Sequence, residues 1–126
     1  MKEIYAIKDE TASHPIASSW RPLLEKVVNS FSKGDYELNC SIEGVEPVAP
    51  DIAEHNRKYV AEYGEVLVEL PEKTWESSCA QWMETHWDVL IDLYTQNEGL
   101  SDLVLTGKML EINGKPYFTV GLIYVP

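Results

Sequence analysis

The sequence predicts an α+β fold: two helices in the N-terminal half, packed on the apolar face of a C-terminal antiparallel β-meander of three to four strands. Three observations predict it. From Trp87 to Thr95 the residues alternate with period two, as a half-buried strand requires. Asn113-Gly114 separates two strand-like runs, and this dipeptide is the strongest short hairpin signal because both positions accept positive φ. Upstream, Leu23, Val27 and Phe31 recur at four-residue spacing, which places them on one side of a helix.

Taken in order, Ile4, Tyr5 and Ile7 suggest a short edge strand, followed by a loop at Lys8-Asp9-Glu10-Thr11 and a stop at Pro15. The first helix is expected from Ser18 or Ser19 as N-cap, with Pro22 in its first turn and Gly34 at its end. Trp20 reads as a core anchor. Tyr36, Leu38 and Cys40 alternate with Glu37, Asn39 and Ser41, a pattern for a short strand, before the irregular stretch marked by Gly44, Pro47 and Pro50. The second helix is expected from Asp51, with Glu54 completing a capping-box pattern. Ile52, Tyr59, Val60 and Tyr63 form its buried side, His55 is a solvated helix residue, and Gly64 ends it.

Val66-Leu67-Val68 reads as a brief strand before Pro71. Residues 72 to 83 fit two patterns. Trp75, Cys79 and Trp82 share a loose helical side, while alternation from Trp75 to Met83 fits a strand folding back across Glu84-Thr85-His86. The strand is preferred, because the connection has hairpin length. In the strand from Trp87, the residues Trp87, Val89, Ile91 and Leu93 face the core, and Asp88, Leu90, Asp92 and Tyr94 face away. Gln96-Asn97-Glu98-Gly99 is turn chemistry. A further strand starts near Asp102 and continues to Ile112, and the last runs from Tyr117 to Val125, with Phe118, Val120, Leu122 and Tyr124 expected on one face.

A chain of 126 residues suits one domain, 1–126, burying roughly two-thirds of its unfolded surface without a disulfide staple. Cys40 and Cys79 read as two buried or half-buried thiols in a reducing cytosol. The opening Met1-Lys2-Glu3-Ile4-Tyr5 lacks the apolar core of a leader, and no run reaches membrane-spanning length. The expectation is a complete, soluble, cytoplasmic protein.

The formal charge is −11, from 21 acidic and 10 basic residues. Its placement is uneven. Residues 60 to 102 hold ten acids (Glu62, Glu65, Glu69, Glu72, Glu76, Glu84, Asp88, Asp92, Glu98 and Asp102) against Lys73 alone, a net of −9 in about a third of the chain. Such a field repels nucleic acid and anionic lipid and attracts cationic surfaces, although surplus carboxylates also serve solubility alone.

Chemical motifs are sparse. Asp88 and Asp92 share a strand face but stand about 13 Å apart, beyond the roughly 5 to 9.5 Å of a glycosidase pair. The histidines, His14, His55 and His86, are 41 and 31 residues apart, unlike the close spacings of zinc sites. His86 is the best single acid-base or ligand candidate, and reads first as a turn histidine bonded to a neighbour. No G-x-S-x-G, phosphate loop or basic patch occurs, and Cys79 has no basic neighbour. The reading is a non-enzyme without cofactor or metal, and without direct nucleic-acid or membrane contact. Trp75, Trp82 and Trp87, with Tyr94 nearby, stand in the acidic third. They read as core with a solvated rim, or as an interface with an apolar centre and a charged edge.

The frame W-DVLIDLYT-x-x-EG-x-SDLVL, followed by a strand ending in YVP, resembles a family of small bacterial domain proteins of unassigned function. Trp75, Trp82, Trp87 to Thr95, Glu98-Gly99, Ser101 to Leu105 and Tyr124 to Pro126 carry the resemblance, which covers most of residues 15 to 126 and implies no catalytic residue. In size, acidity and lack of a catalytic constellation the chain is also similar in kind to immunity proteins of contact-dependent growth inhibition. That likeness implies a cognate cationic toxin domain, such as a basic nuclease, as partner. The expected binding residues are Glu84, Asp88, Asp92, Glu98 and Asp102, with Trp82 and Tyr94 as anchors. Two alternatives stay open: a regulatory protein-interaction module without a toxin, and a small-molecule-binding protein.

Overall fold

A computed structural model describes residues 3–126, so Met1 and Lys2, where the reading of the chain's start begins, lie outside the described residues. The chain is α+β. Its sheet has five strands rather than three to four: β1 (His14–Pro15), β2 (Cys79–Trp82), β3 (Trp87–Thr95), β4 (Gly99–Ile112) and β5 (Lys115–Tyr124), antiparallel in that order. The additional edge strand is only two residues long, too short to show a period. The helices are α1 (Arg21–Ser32) and α2 (Pro50–Tyr63). Helical structure also appears beyond the N-terminal half, as a 3-10 turn at Glu72–Glu76.

The hairpins follow from local chemistry. Asn113 and Gly114 both take positive φ, 53° and 77°, and join β4 to β5 by the mirror-image turn whose twist matches that of the strands. Gly99, at φ 72°, closes the β3–β4 turn. In β3 the core face is Trp87, Val89, Ile91 and Leu93, all buried, and Thr95 continues it. Leu24, Val27, Val28 and Phe31 of α1 complete the same core, and Trp20 packs edge-on against Trp87 with ring centroids 5.0 Å apart.

Two register shifts decide what faces outward. Between Asp92 and Tyr94 of β3 the pairing with β4 slips, so Leu93 faces the stretch Ser101 to Leu103, and the Ser101 hydroxyl donates to the Leu93 carbonyl at 2.7 Å. Between Leu105 and Gly107 the pairing with β5 shifts by one residue, and Gly121 and Leu122 together oppose Thr106. A one-residue bulge inverts the faces beyond it. Hence the last strand does not keep the face expected for it: Phe118 and Val120 are buried, Leu122 is exposed, and Ile123 is buried in its place.

Gly107 serves close packing. A Cβ there would lie 2.3 and 2.4 Å from ring carbons of the fully buried Phe118, and 2.7 Å from the Thr119 carbonyl oxygen. Gly107→Ala is expected to lower stability by about 1–3 kcal/mol through overpacking, read as a lower urea midpoint at unchanged slope. A loss under about 0.5 kcal/mol would mean that the Phe118 ring moves aside freely.

Several local expectations give way to tertiary contacts. Ile4 to Ile7 form no strand; Ile4 exchanges backbone and hydroxyl bonds with Ser18, and the Ile7 carbonyl accepts from the Trp87 indole at 3.0 Å. Ser18 therefore does not cap α1, which is entered through a 3-10 turn at Ser18–Trp20. Tyr36 to Ser41 make turns, with Leu38 and Ser41 at positive φ and the Asp35 carboxylate accepting the Asn39 and Cys40 amides. Helix α2 begins at Pro50 without a side-chain cap, so the Asp51–Glu54 box does not form. Residues 72 to 83 divide between both readings, the 3-10 turn and then β2.

The outer edge of β5 is met at several positions by unlike partners. Phe118 donates to the Gly44 carbonyl at 2.7 Å and accepts from the Glu46 amide at 2.9 Å. Further on, fully buried Asn56 of α2 donates to the Gly121 carbonyl at 3.0 Å and accepts the Ile123 amide at 2.7 Å. His55, read as solvated, donates to the Ile123 carbonyl at 3.2 Å, and the Tyr59 hydroxyl accepts the Val125 amide at 3.1 Å. An open strand edge is a template for wrong pairing, and here the Gly44–Glu46 segment and α2 supply partners.

Candidate functional site

Among the described residues no helix covers the sheet's second face. Rows run across it from strand to strand: Gln81, Asp88, Lys108 and Thr119; then Asp92, Val104 and Tyr124; then Tyr94 beside Leu100. Leu90, Leu100, Leu110 and Leu122 are exposed apolar residues, Leu100 the most so at 54%. A shallow depression of about 430 Å³ lies over Leu90, Thr106, Lys108 and Tyr124. The face is thus chiefly leucine and tyrosine with a few charges, and not a continuous acidic sheet.

The seven residues expected at the interface fall in four places. Asp88, Asp92 and Tyr94 share this outer face. Trp82 points to the other side, on the rim of the core, with its ring 4.6 Å from that of Trp87 and the Lys8 ammonium 4.8 Å above it. Glu84 belongs to the β2–β3 turn, where it takes φ 72°. Glu98, in the β3–β4 turn, and Asp102, early in β4, lie at the opposite end of β3. Nine residues of strand separate the two ends by roughly 25–30 Å.

At that far end the C-terminus of α2 meets the turn. The Tyr63 hydroxyl donates to Glu98 at 2.8 Å and accepts the Asp102 amide at 3.2 Å. Glu65 accepts from both the backbone and side-chain nitrogens of Asn97. The Asp102 amide favours the phenolate. The hydrogen bond to the Glu98 carboxylate, slight burial and the charges of Glu98 and Asp102 outweigh it and raise the Tyr63 pKa above 10.0. Tyr63 therefore stays a neutral donor that ties α2 to an acidic end comprising Glu65, Glu98 and Asp102.

Of the ten carboxylates between residues 60 and 102, only Asp88 has a basic side chain within salt-bridge distance among the described residues, the His86 imidazole at 3.0 Å. His86 also bonds Thr85 at 2.9 Å, so its ring bridges two neighbours in the turn. Among the described residues no three His, Cys, Asp or Glu side chains gather to hold a metal; both cysteines are free, Cys79 half-buried but Cys40 exposed where a buried or half-buried thiol was expected. No helix among them is long and apolar enough to cross a membrane.

Leu100 and Asn56 were not legible as functional or edge-sealing residues. Leu100 follows a turn, and its pairing with Tyr94 depends on the bulge. Asn56 did carry a signal: it is a polar residue at helical spacing between Ala53 and Val60 on a buried side.

These features define a small acidic α+β domain, an antiparallel meander with α1 completing the core on one face, α2 along the edge of β5, and the other face open. Residues 28–126 match the family described as "Domain of unknown function (DUF7668)", and the chain belongs to that family. The match starts within α1, so β1 and Trp20 precede it, and it carries no link to immunity proteins. No curated protein matches the chain, and no solved structure does.

Proposed function

We propose that this domain binds a cationic protein partner through the acidic end and the adjoining open sheet face, and that the partner is a cognate basic toxin domain whose active site it occludes, as an immunity protein does. The observation that supports this reading is the set of unpaired carboxylates. Asp92, Glu98 and Asp102 have no basic partner among the described residues, and they border the exposed Leu100 and half-buried Tyr94. An apolar centre with a charged rim is the usual anatomy of a protein interface. Uncompensated like charges repel one another in the free domain, and an incoming cationic surface relieves that repulsion. Opposite potentials would raise the association rate and fix the register, while Tyr94 and Leu100 anchor the complex.

The test begins with co-expression beside the neighbouring open reading frame, purified at low and high salt. A stoichiometric complex with a basic toxin domain, weakening as salt rises, supports the reading. A stable partner that is no toxin would favour a regulatory interaction module. With a partner in hand, Asp92→Lys combined with Asp102→Lys is expected to slow association by about tenfold or more and to flatten its salt dependence. Unchanged association kinetics in that double variant would remove the acidic end from the interface.

A further inference from the structure

Positive charge is gathered where the acidic third is not. Residues 21 to 33 hold Arg21, Lys26 and Lys33 against Glu25, and residues 103 to 126 hold Lys108 and Lys115 against Glu111. The fold brings parts of these two segments together. A cavity of about 520 Å³ opens between α1 and the β4–β5 hairpin, within the 300–1,000 Å³ typical of small-molecule sites. Pro22 and Leu23 form its α1 wall, and Ile112 and Pro116 its hairpin wall.

Lys26 and Lys115 also line it, one from each wall, and neither has a carboxylate within ion-pair distance among the described residues. Among the described residues Glu43 is the one acidic residue of the lining, leaving the cavity a net positive charge in a chain of −11. The loop at its base is pinned. Gly44 is hydrogen-bonded to Phe118, and its position for a Cβ lies 2.9 Å from both Leu23 Cδ1 and the Pro116 carbonyl oxygen. A cavity with apolar walls and two unpaired ammonium groups is complementary to an apolar body bearing one negative charge.

We infer that this cavity is a binding site for a small amphipathic organic anion, a carboxylate on an apolar body, held between Lys26 and Lys115. The site is separate from the acidic end and does not depend on it.

The experiment is a titration of the ¹⁵N-labelled full chain with 2-naphthoate, followed by amide shifts, with neutral 2-naphthamide as comparison. Saturable shifts centred on Gly44, Ile112 and Lys115 are expected. Affinity should fall about three- to thirtyfold for the amide, and likewise for Lys26→Glu combined with Lys115→Glu. Both lysines are exposed, so the double variant should fold; the amide comparison on the unaltered chain needs no variant. Three results would overturn the inference: no saturable shift up to about 10 mM, shifts centred on the open sheet face, or equal affinity for carboxylate and amide.

Discussion

Trp87→Ala is expected to remove about 3–5 kcal/mol of stability, a large part of the roughly 5–15 kcal/mol that holds a domain of this kind folded. Trp87 is 2% exposed and stands between two other indoles, with centroids 5.0 Å from Trp20 and 4.6 Å from Trp82. Its deletion opens a cavity that three separate segments of chain would have to collapse to fill. It also strands the Ile7 carbonyl, which accepts from the indole nitrogen at 3.0 Å. Urea denaturation should show a much lower midpoint, and limited proteolysis should cut earlier between residues 3 and 13. Trp87→Phe separates the two effects. It keeps an aromatic ring in the core but loses the indole donor, so it should release the N-terminal segment at a smaller global loss. A drop below about 1 kcal/mol for Trp87→Ala would show that the indole cluster is not the centre of the core.

Asn56→Ala is the second large effect, and its origin is polar. The amide of Asn56 satisfies one carbonyl and one N–H on the edge of β5, with no water exposure of its own. Truncation leaves two backbone groups without their partner, each worth about 1–3 kcal/mol when buried and unsatisfied. The expected loss is about 2–4 kcal/mol. Hydrogen exchange gives a specific readout: the Ile123 amide should lose protection well beyond the global change in stability, while amides of β3 follow the global change. Equal loss of protection across the sheet would mean that Asn56 acts only through packing. Because the edge of β5 would then be open, the variant should also self-associate more readily.

Both predictions rest on residues whose importance was unevenly visible. Trp87 stands at the start of an unbroken alternation, and its burial follows from that pattern. Asn56 is a polar residue on an otherwise apolar helix side, and its partners lie 65 and 67 positions away. Its place on that side marks the side chain as facing inward, but nothing local shows that its partners are backbone groups on the edge of β5. The same limit applies to the binding surface. Alternation placed Asp88, Asp92 and Tyr94 together on the outer face, as β3 has them, but the other four expected residues belong to turns, a rim and the next strand. Their relative position depends on how β3 pairs with its neighbours. Trp82 shows the consequence, since β2 turns it toward the core side and away from Asp88.

Several features of this protein were determined by sequence alone. The concentration of negative charge is a matter of composition, and the α+β class, α1 with its apolar stripe and the β3–β4 and β4–β5 hairpins arise from residues close together along the chain. Periodicity and positive-φ turn residues act at that range. The tertiary structure alone decided the bulges in β3–β4 and β4–β5, the exchange of Leu122 for Ile123 in the core, the sealing of β5 by α2, and the cavity between Lys26 and Lys115. Each of those is a relation between distant segments. A bulge or a filled edge is stabilised by the partner strand or helix it meets, and that partner is encoded elsewhere in the chain.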